Sequence, residues 1–108
     1  MKTIVLVDEA YNEFSDNPEK DTMTPLINEG YNILVARTFS KIYGMAGMRV
    51  GYMMGSEELL EFIKPFGLAH YAMNQAGVAA AVASYNDEAF LSYSLSKVKE
   101  AREMVLDA

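Results

Sequence analysis

Residues 36–52 read Ala-Arg-Thr-Phe-Ser-Lys-Ile-Tyr-Gly-Met-Ala-Gly-Met-Arg-Val-Gly-Tyr, and the reading of this stretch decides the fold. An apolar run, Ile33 to Ala36, leads into it, and a second, Val50 to Met54, leads out. The first is short, continuous and rich in branched side chains, the pattern of a strand buried on both faces. Lys41 then lies just beyond that strand's carboxyl end, where open α/β sheets bind their ligands. Upstream, Thr3 to Val7 is another continuous apolar run, expected to form a central parallel strand that ends at Asp8. Asp8 and Tyr11 would then emerge at the same edge as Lys41.

The residue types at that edge suit one kind of chemistry. A lysine amine is a nucleophile only when uncharged, and desolvation or a neighbouring cation favours that form; it can then make a Schiff base with a carbonyl. Arg49 offers a planar fork of donors suited to two oxygens of a phosphate. Thr38 and Ser40 supply short hydroxyls that could complete the grip. Gly44, Gly47 and Gly51 permit turns and close approaches that a Cβ would obstruct. A lysine, a phosphate clamp and a flexible turn together suggest a phosphorylated aldehyde as cofactor.

Thr-Phe-Ser-Lys followed by Gly-Met-Ala-Gly-Met-Arg-Val-Gly-Tyr resembles the cofactor-lysine segment of fold-type I pyridoxal-phosphate aminotransferases, and among them the histidinol-phosphate aminotransferase group. The eight-residue step from Lys41 to Arg49 fits that pattern, and Val-Asp-Glu-Ala-Tyr at 7–11 is similar to a second signature of the family. The resemblance implies that Lys41 is the catalytic lysine that carries pyridoxal 5'-phosphate and that Arg49 holds its phosphate. It also implies that Asp8 pairs with the pyridinium nitrogen and that Tyr11 hydrogen-bonds the ring oxygen. The cofactor-binding set is therefore Asp8, Tyr11, Thr38, Ser40, Lys41 and Arg49, with no metal. The partners implied are a small-molecule amino donor, such as an amino acid or a histidinol phosphate-like amino-alcohol phosphate, and a 2-oxo acid acceptor. A threonine-phosphate decarboxylase or an aromatic aminotransferase would share every residue named. In this resemblance residues 1–86 are the C-terminal half of the cofactor-binding large domain, and 87–108 begin the long helix toward a small domain. The chain is then expected to be an internal segment, inactive by itself, of an enzyme that works as a homodimer. The fold class implied is α/β, a partial large domain with a mostly parallel sheet, one antiparallel strand and flanking helices.

Composition narrows the alternatives. The 108 residues are 51% hydrophobic and 22% charged, ordinary for a globular protein and unlike a disordered tail. A net charge of −6 without any basic stripe argues against nucleic acid. There is no cysteine, hence no disulfide or thiolate metal site. Neither a signal-peptide pattern nor a membrane-spanning apolar run occurs, so no membrane partner and a cytoplasmic location are expected. A strand ending in Asp-Glu also fits the Walker B element of P-loop ATPases, but the chain has no Gly-x-x-x-x-Gly-Lys-Ser/Thr loop. A different class of reading is a non-catalytic fragment that associates through exposed sheet edges.

The remaining chain reads as follows. Residues 12–24 are polar and turn-rich, a surface loop. Thr24-Pro25 opens a short helix that Gly30 ends. Strand, helix, strand then makes a parallel crossover that places Asp8 and Lys41 on neighbouring strands. Arg49 to Met54 follows Lys41 after a turn too short for a helix, so it should run antiparallel. Ser56 caps a helix through Phe66, with Glu57 and Glu58 in its first turn. His70 is the lone histidine and receives no role. Ala76 to Tyr85 is an alanine-rich helix suited to close packing. Asp87 caps a final helix carrying Leu91, Leu95, Val98 and Val105 at helical spacing, about 20 residues and roughly 30 Å long.

Overall fold

The computed structural model of the chain describes residues 3–67 and 73–108; His70 lies outside the described residues. Three strands, β1 (Val5–Asp8), β2 (Ile33–Thr38) and β3 (Gly51–Met54), form one sheet in the order β1-β2-β3. β1 pairs parallel to β2, with Asp8 opposite Ala36, and β3 pairs antiparallel to β2, with Tyr52 opposite Arg37 and Gly51 opposite Thr38. The expected α/β class, crossover and reversed strand are all present.

β2 is the sheet's centre because its run of branched residues is covered on both faces: Ile33, Leu34 and Val35 are all buried, and Val35 is wholly so. Burying each such side chain contributes about 1.5–3 kcal/mol. β1 departs from expectation. It is an edge strand among the described residues, with Val5 52% and Leu6 61% exposed, because its second edge meets no strand there. β1 ends at Asp8, as the sequence places it.

Helices α1 (Pro18–Asp21) and α2 (Pro25–Asn28) are single turns joining β1 to β2. The stretch 12–24 is therefore more structured than a loop, since a 3-10 turn over Asn12–Phe14 precedes α1. Gly30, at φ +82°, follows α2 in the left-handed conformation that a helix stop favours. α3 (Glu57–Ile63) starts where the sequence places it: the Ser56 hydroxyl accepts from the Leu59 amide at 3.3 Å. Its α-helical part stops at Ile63, and Lys64–Phe66 continue as a 3-10 turn around Pro65, whose ring and missing N–H cannot extend an α-helix.

α4 (Gln75–Ser84) packs closely along one side only. Gly77 and Ala81 are buried, whereas Val82 is 73% exposed. A Cβ on Gly77 would sit 2.8 Å from Val50 Cγ2, so glycine is what lets the helix touch the start of β3. Phe39, Val50 and Ala81 form the core of this contact, with Tyr43, Met45 and Tyr52 against it. α5 (Glu88–Leu106) is capped by Asp87, whose carboxylate accepts from the Phe90 amide at 3.0 Å. None of its residues is buried; of the expected stripe, Leu91 is half-buried and Leu95, Val98 and Val105 face solvent. Among the described residues no helix is long and apolar enough to cross a membrane.

Candidate active site

The strand register builds the site. Side chains alternate across a sheet, so Leu6, Asp8, Ala36 and Thr38 share one face at the carboxyl ends of β1 and β2. They line an open concavity of ≈ 380 Å³, which Ser40, Lys41 and Arg49 complete. A carboxylate from one strand tip and an amine and a guanidinium from the turn after its neighbour thus face a common space.

Each group is held by local chemistry. Asp8 Oδ1 accepts from the Ala10 amide at 3.0 Å, an Asx turn that orients the carboxylate as the chain leaves β1. Lys41 Nζ stands 5.0 Å from the centroid of the Tyr11 ring, a cation–π contact that brings Tyr11 to the rim although it does not line the concavity. The Thr38 hydroxyl donates to the Val50 carbonyl at 3.4 Å and accepts from the Ser40 amide at 3.0 Å. Thr38 thus shapes the turn, and the Ser40 hydroxyl reaches Arg49 Nη1 at 3.4 Å.

Arg49 differs from its expected place at the start of β3. It follows a 3-10 turn over Ala46–Met48 and adopts φ 56°, ψ 47°, the single left-handed non-glycine residue among those described. Such a conformation persists only where its surroundings enforce it. Here Arg49 Nη1 donates to the Ala46 carbonyl at 2.8 Å, and Asn74 Nδ2 donates to the Met48 carbonyl at 2.9 Å. The same Asn74 caps α4 by accepting from the Gly77 amide at 2.6 Å. The strain turns the guanidinium back toward Ser40 instead of along the strand.

Glu9 and Arg37 are the polar residues that the sequence reading passed over. Glu9 is 6% exposed and pairs with Arg37, its Oε2 accepting from Nη2 at 2.9 Å and from Nε at 3.1 Å. Its Oε1 accepts from the Met23 amide at 2.6 Å, and the Thr22 hydroxyl lies 2.9 Å from Oε2. Burial disfavours the Glu9 charge, but the Met23 amide, Arg37 and Thr22 outweigh it and hold the carboxyl below its ordinary value. Burial also opposes the Arg37 charge, and Glu9 with Tyr52 more than restores it. The available signal was an arginine inside an apolar strand, one residue past the partner of Asp8. Because Glu9 neutralises Arg37, the positive charge left for a ligand comes from Lys41 and Arg49, and the concavity suits an anion.

The whole chain, residues 1–108, matches the family model for aminotransferase class I and II, and the protein belongs to that family. It is 39% identical to a histidinol-phosphate aminotransferase of Halorubrum lacusprofundi over 98% of this chain and 28% of the relative. It is 35% identical to histidinol-phosphate aminotransferase 1 of Cupriavidus pinatubonensis over 99% of this chain and 28% of that protein. Among solved structures, it superposes with a TM-score of 0.79 on the histidinol-phosphate aminotransferase of Sinorhizobium meliloti in complex with pyridoxal-5'-phosphate, at 33% identity, covering 95% of this chain and 28% of that one. A protein of Erwinia carotovora atroseptica, provisionally named a histidinol-phosphate aminotransferase, gives 0.88 at 40% identity over 97% of this chain and 30% of that one. The fold is that of the fold-type I enzymes, and the chain spans less than a third of the length of these relatives.

Proposed function

We propose that this chain carries the cofactor-gripping residues of a pyridoxal 5'-phosphate-dependent aminotransferase, with Lys41 as its catalytic lysine. The observation that supports this most is the convergence of Asp8, Thr38, Ser40, Lys41 and Arg49 on one concavity at the strand ends. The donor set fits the cofactor. The Asp8 carboxylate suits a protonated ring nitrogen, the Tyr11 hydroxyl suits the ring oxygen, and the Arg49 guanidinium with the Ser40 hydroxyl suits the phosphate. When bound, pyridoxal phosphate supplies an electron sink for the charge left on the substrate's α-carbon. Lys41 Nζ would hold the cofactor at its aldehyde and, once the substrate's amine has displaced it, would be the base placed to take the α-carbon proton. Thr38 holds the turn so that Ser40 and Arg49 act together.

The relatives' names support an amino-alcohol phosphate of the histidinol phosphate class as amino donor, with a 2-oxo acid as acceptor. In the complete homodimeric enzyme, residues 1–86 would be the later half of the cofactor domain and 87–108 the start of the helix toward a smaller domain. The test is borohydride reduction of the cofactor-loaded protein, in an aminotransferase of full family length that contains these residues, followed by peptide mapping. Label on Lys41, and a kcat loss of about 10³-fold or more in Lys41→Ala, is the expected result. Label on Lys64, or none, overturns the assignment.

A further inference from the structure

Asp8 ends β1 and Lys41 lies in the turn after β2, so the distance between them is only as well defined as the alignment of the two strand ends. The β1–β2 ladder continues one residue past Asp8, with the Glu9 amide donating to the Ala36 carbonyl at 2.9 Å. The strand register ends there, and side-chain hydrogen bonds link the segments that follow. The candidates alternate with Ala36 and Thr38 along the strands, and one of them, Arg37, also borders the concavity. Arg37, the alternate residue, sends its guanidinium to Glu9 after β1 and to the Thr22 hydroxyl, which Nη2 reaches at 3.0 Å. Across the other edge its register partner is Tyr52 of β3, which favours the charged form of the guanidinium. Thr22 Oγ1 lies 3.1 Å from Thr24 Oγ1 and accepts from the Thr24 amide at 3.2 Å, so the segment returning to β2 joins the same network.

We propose that Glu9, Arg37, Thr22 and Tyr52 form a positioning ladder beside the site that sets the separation of the Asp8 carboxylate and the Lys41 amine. None of the four is a catalytic residue. Asp8 is chained directly to Glu9, and Thr38, which shapes the turn to Lys41, is chained directly to Arg37. A fork of two hydrogen bonds to one carboxylate oxygen fixes orientation as well as distance. A displacement of even about 1 Å between cofactor-gripping groups is expected to cost on the order of 100-fold in rate. The inference rests on the cofactor reading above, and the ladder's role is to keep one ligand's two ends matched to groups at two strand ends.

The test uses the cofactor-loaded enzyme of full family length with Glu9→Gln and Arg37→Met, and follows the pH midpoint of the cofactor–lysine absorbance. If the ladder positions Asp8, either variant loosens its hold on the ring nitrogen's proton, and both midpoints move upward by about one pH unit. Simple charge effects predict opposite signs, because removing Glu9 takes away a negative charge and removing Arg37 a positive one. A purely structural role predicts a lower melting temperature with unmoved midpoints. Upward shifts in both, with kcat reduced about 10-fold or more and KM nearly unchanged, support the ladder; opposite shifts or no shift overturn it. Should these variants fail to fold, Thr22→Val and Tyr52→Phe, which delete single hydroxyls, are expected to give smaller upward shifts, and unmoved midpoints there also overturn it. Borohydride label on Lys41 in the parent with unmoved midpoints in the variants defeats only this inference. Absence of that label defeats the cofactor reading itself.

Discussion

The carboxyl end of the sheet and helix α5 obtain their order in opposite ways. At the strand ends, Val35, Phe39, Ile42 and Val50 are buried, and the polar Glu9 is buried with them but fully partnered. In α5 no residue is buried, and exposure along its apolar stripe rises from 38% at Leu95 to 77% at Val105. The helix is specified by its own backbone hydrogen bonds, the Asp87 cap and local propensity. Packing locks the strand ends in place and leaves α5 free of tertiary constraint over most of its length. The grouping of Asp8, Lys41 and Arg49 depends on the first kind of order, and it is built only from that region.

This contrast can be broken or sharpened by measurement. The largest expected stability effect is at Phe39, whose ring packs 4.8 Å from Tyr43 and 5.8 Å from Tyr52, centroid to centroid. Phe39→Ala should cost about 3–5 kcal/mol in urea unfolding. A loss below about 1 kcal/mol would mean that this cluster does not hold the turn between β2 and β3.

A smaller effect is expected from acid. The folded-state pKa of Glu9 is lowered from 4.5, so its contribution to stability is complete above that value and disappears as pH falls through the lower, folded value. Unfolding curves between pH 6 and pH 3 should show a steeper loss in the parent than in Glu9→Gln, which starts less stable at neutral pH because Arg37 loses its partner. Equal slopes would show that the buried pair does not contribute to the acid limb. The smallest effect is assigned to α5. Val105→Ala should change stability by no more than about 0.5 kcal/mol, and a cost above about 1 kcal/mol would reveal packing against this stripe that the described residues do not show.

Much of the fold was legible in the sequence because its signals are local. Branched apolar runs mark β1 and β2, Pro25 and Gly30 bracket α2, and Ser56 and Asp87 cap the helices that follow them. The candidate site was legible for a related reason: Asp8 at a strand tip and the Lys41–Arg49 spacing are short-range patterns. What stayed hidden involves residues far apart along the chain. Glu9, Thr22 and Arg37 meet only when β1 and β2 align, and Asn74 reaches the Met48 carbonyl from a helix cap 26 residues away. Arg49 was read as a strand residue because its neighbours are apolar, yet two carbonyl contacts and a 3-10 turn put it in the left-handed region.

Residue order alone therefore determined the three strands and the capped helices, and which side chains are available for chemistry at the sheet's end, since these follow from spacing within a few residues. It did not determine α1 or the left-handed Arg49. Tertiary structure decided that β1 is an edge strand among the described residues, that α5 keeps most of its apolar stripe in solvent, and that a buried ion pair ties the two strand ends together. Those outcomes depend on which surfaces meet. A hydrogen bond between Glu9 and Arg37 exists only once the parallel register has brought their backbones side by side.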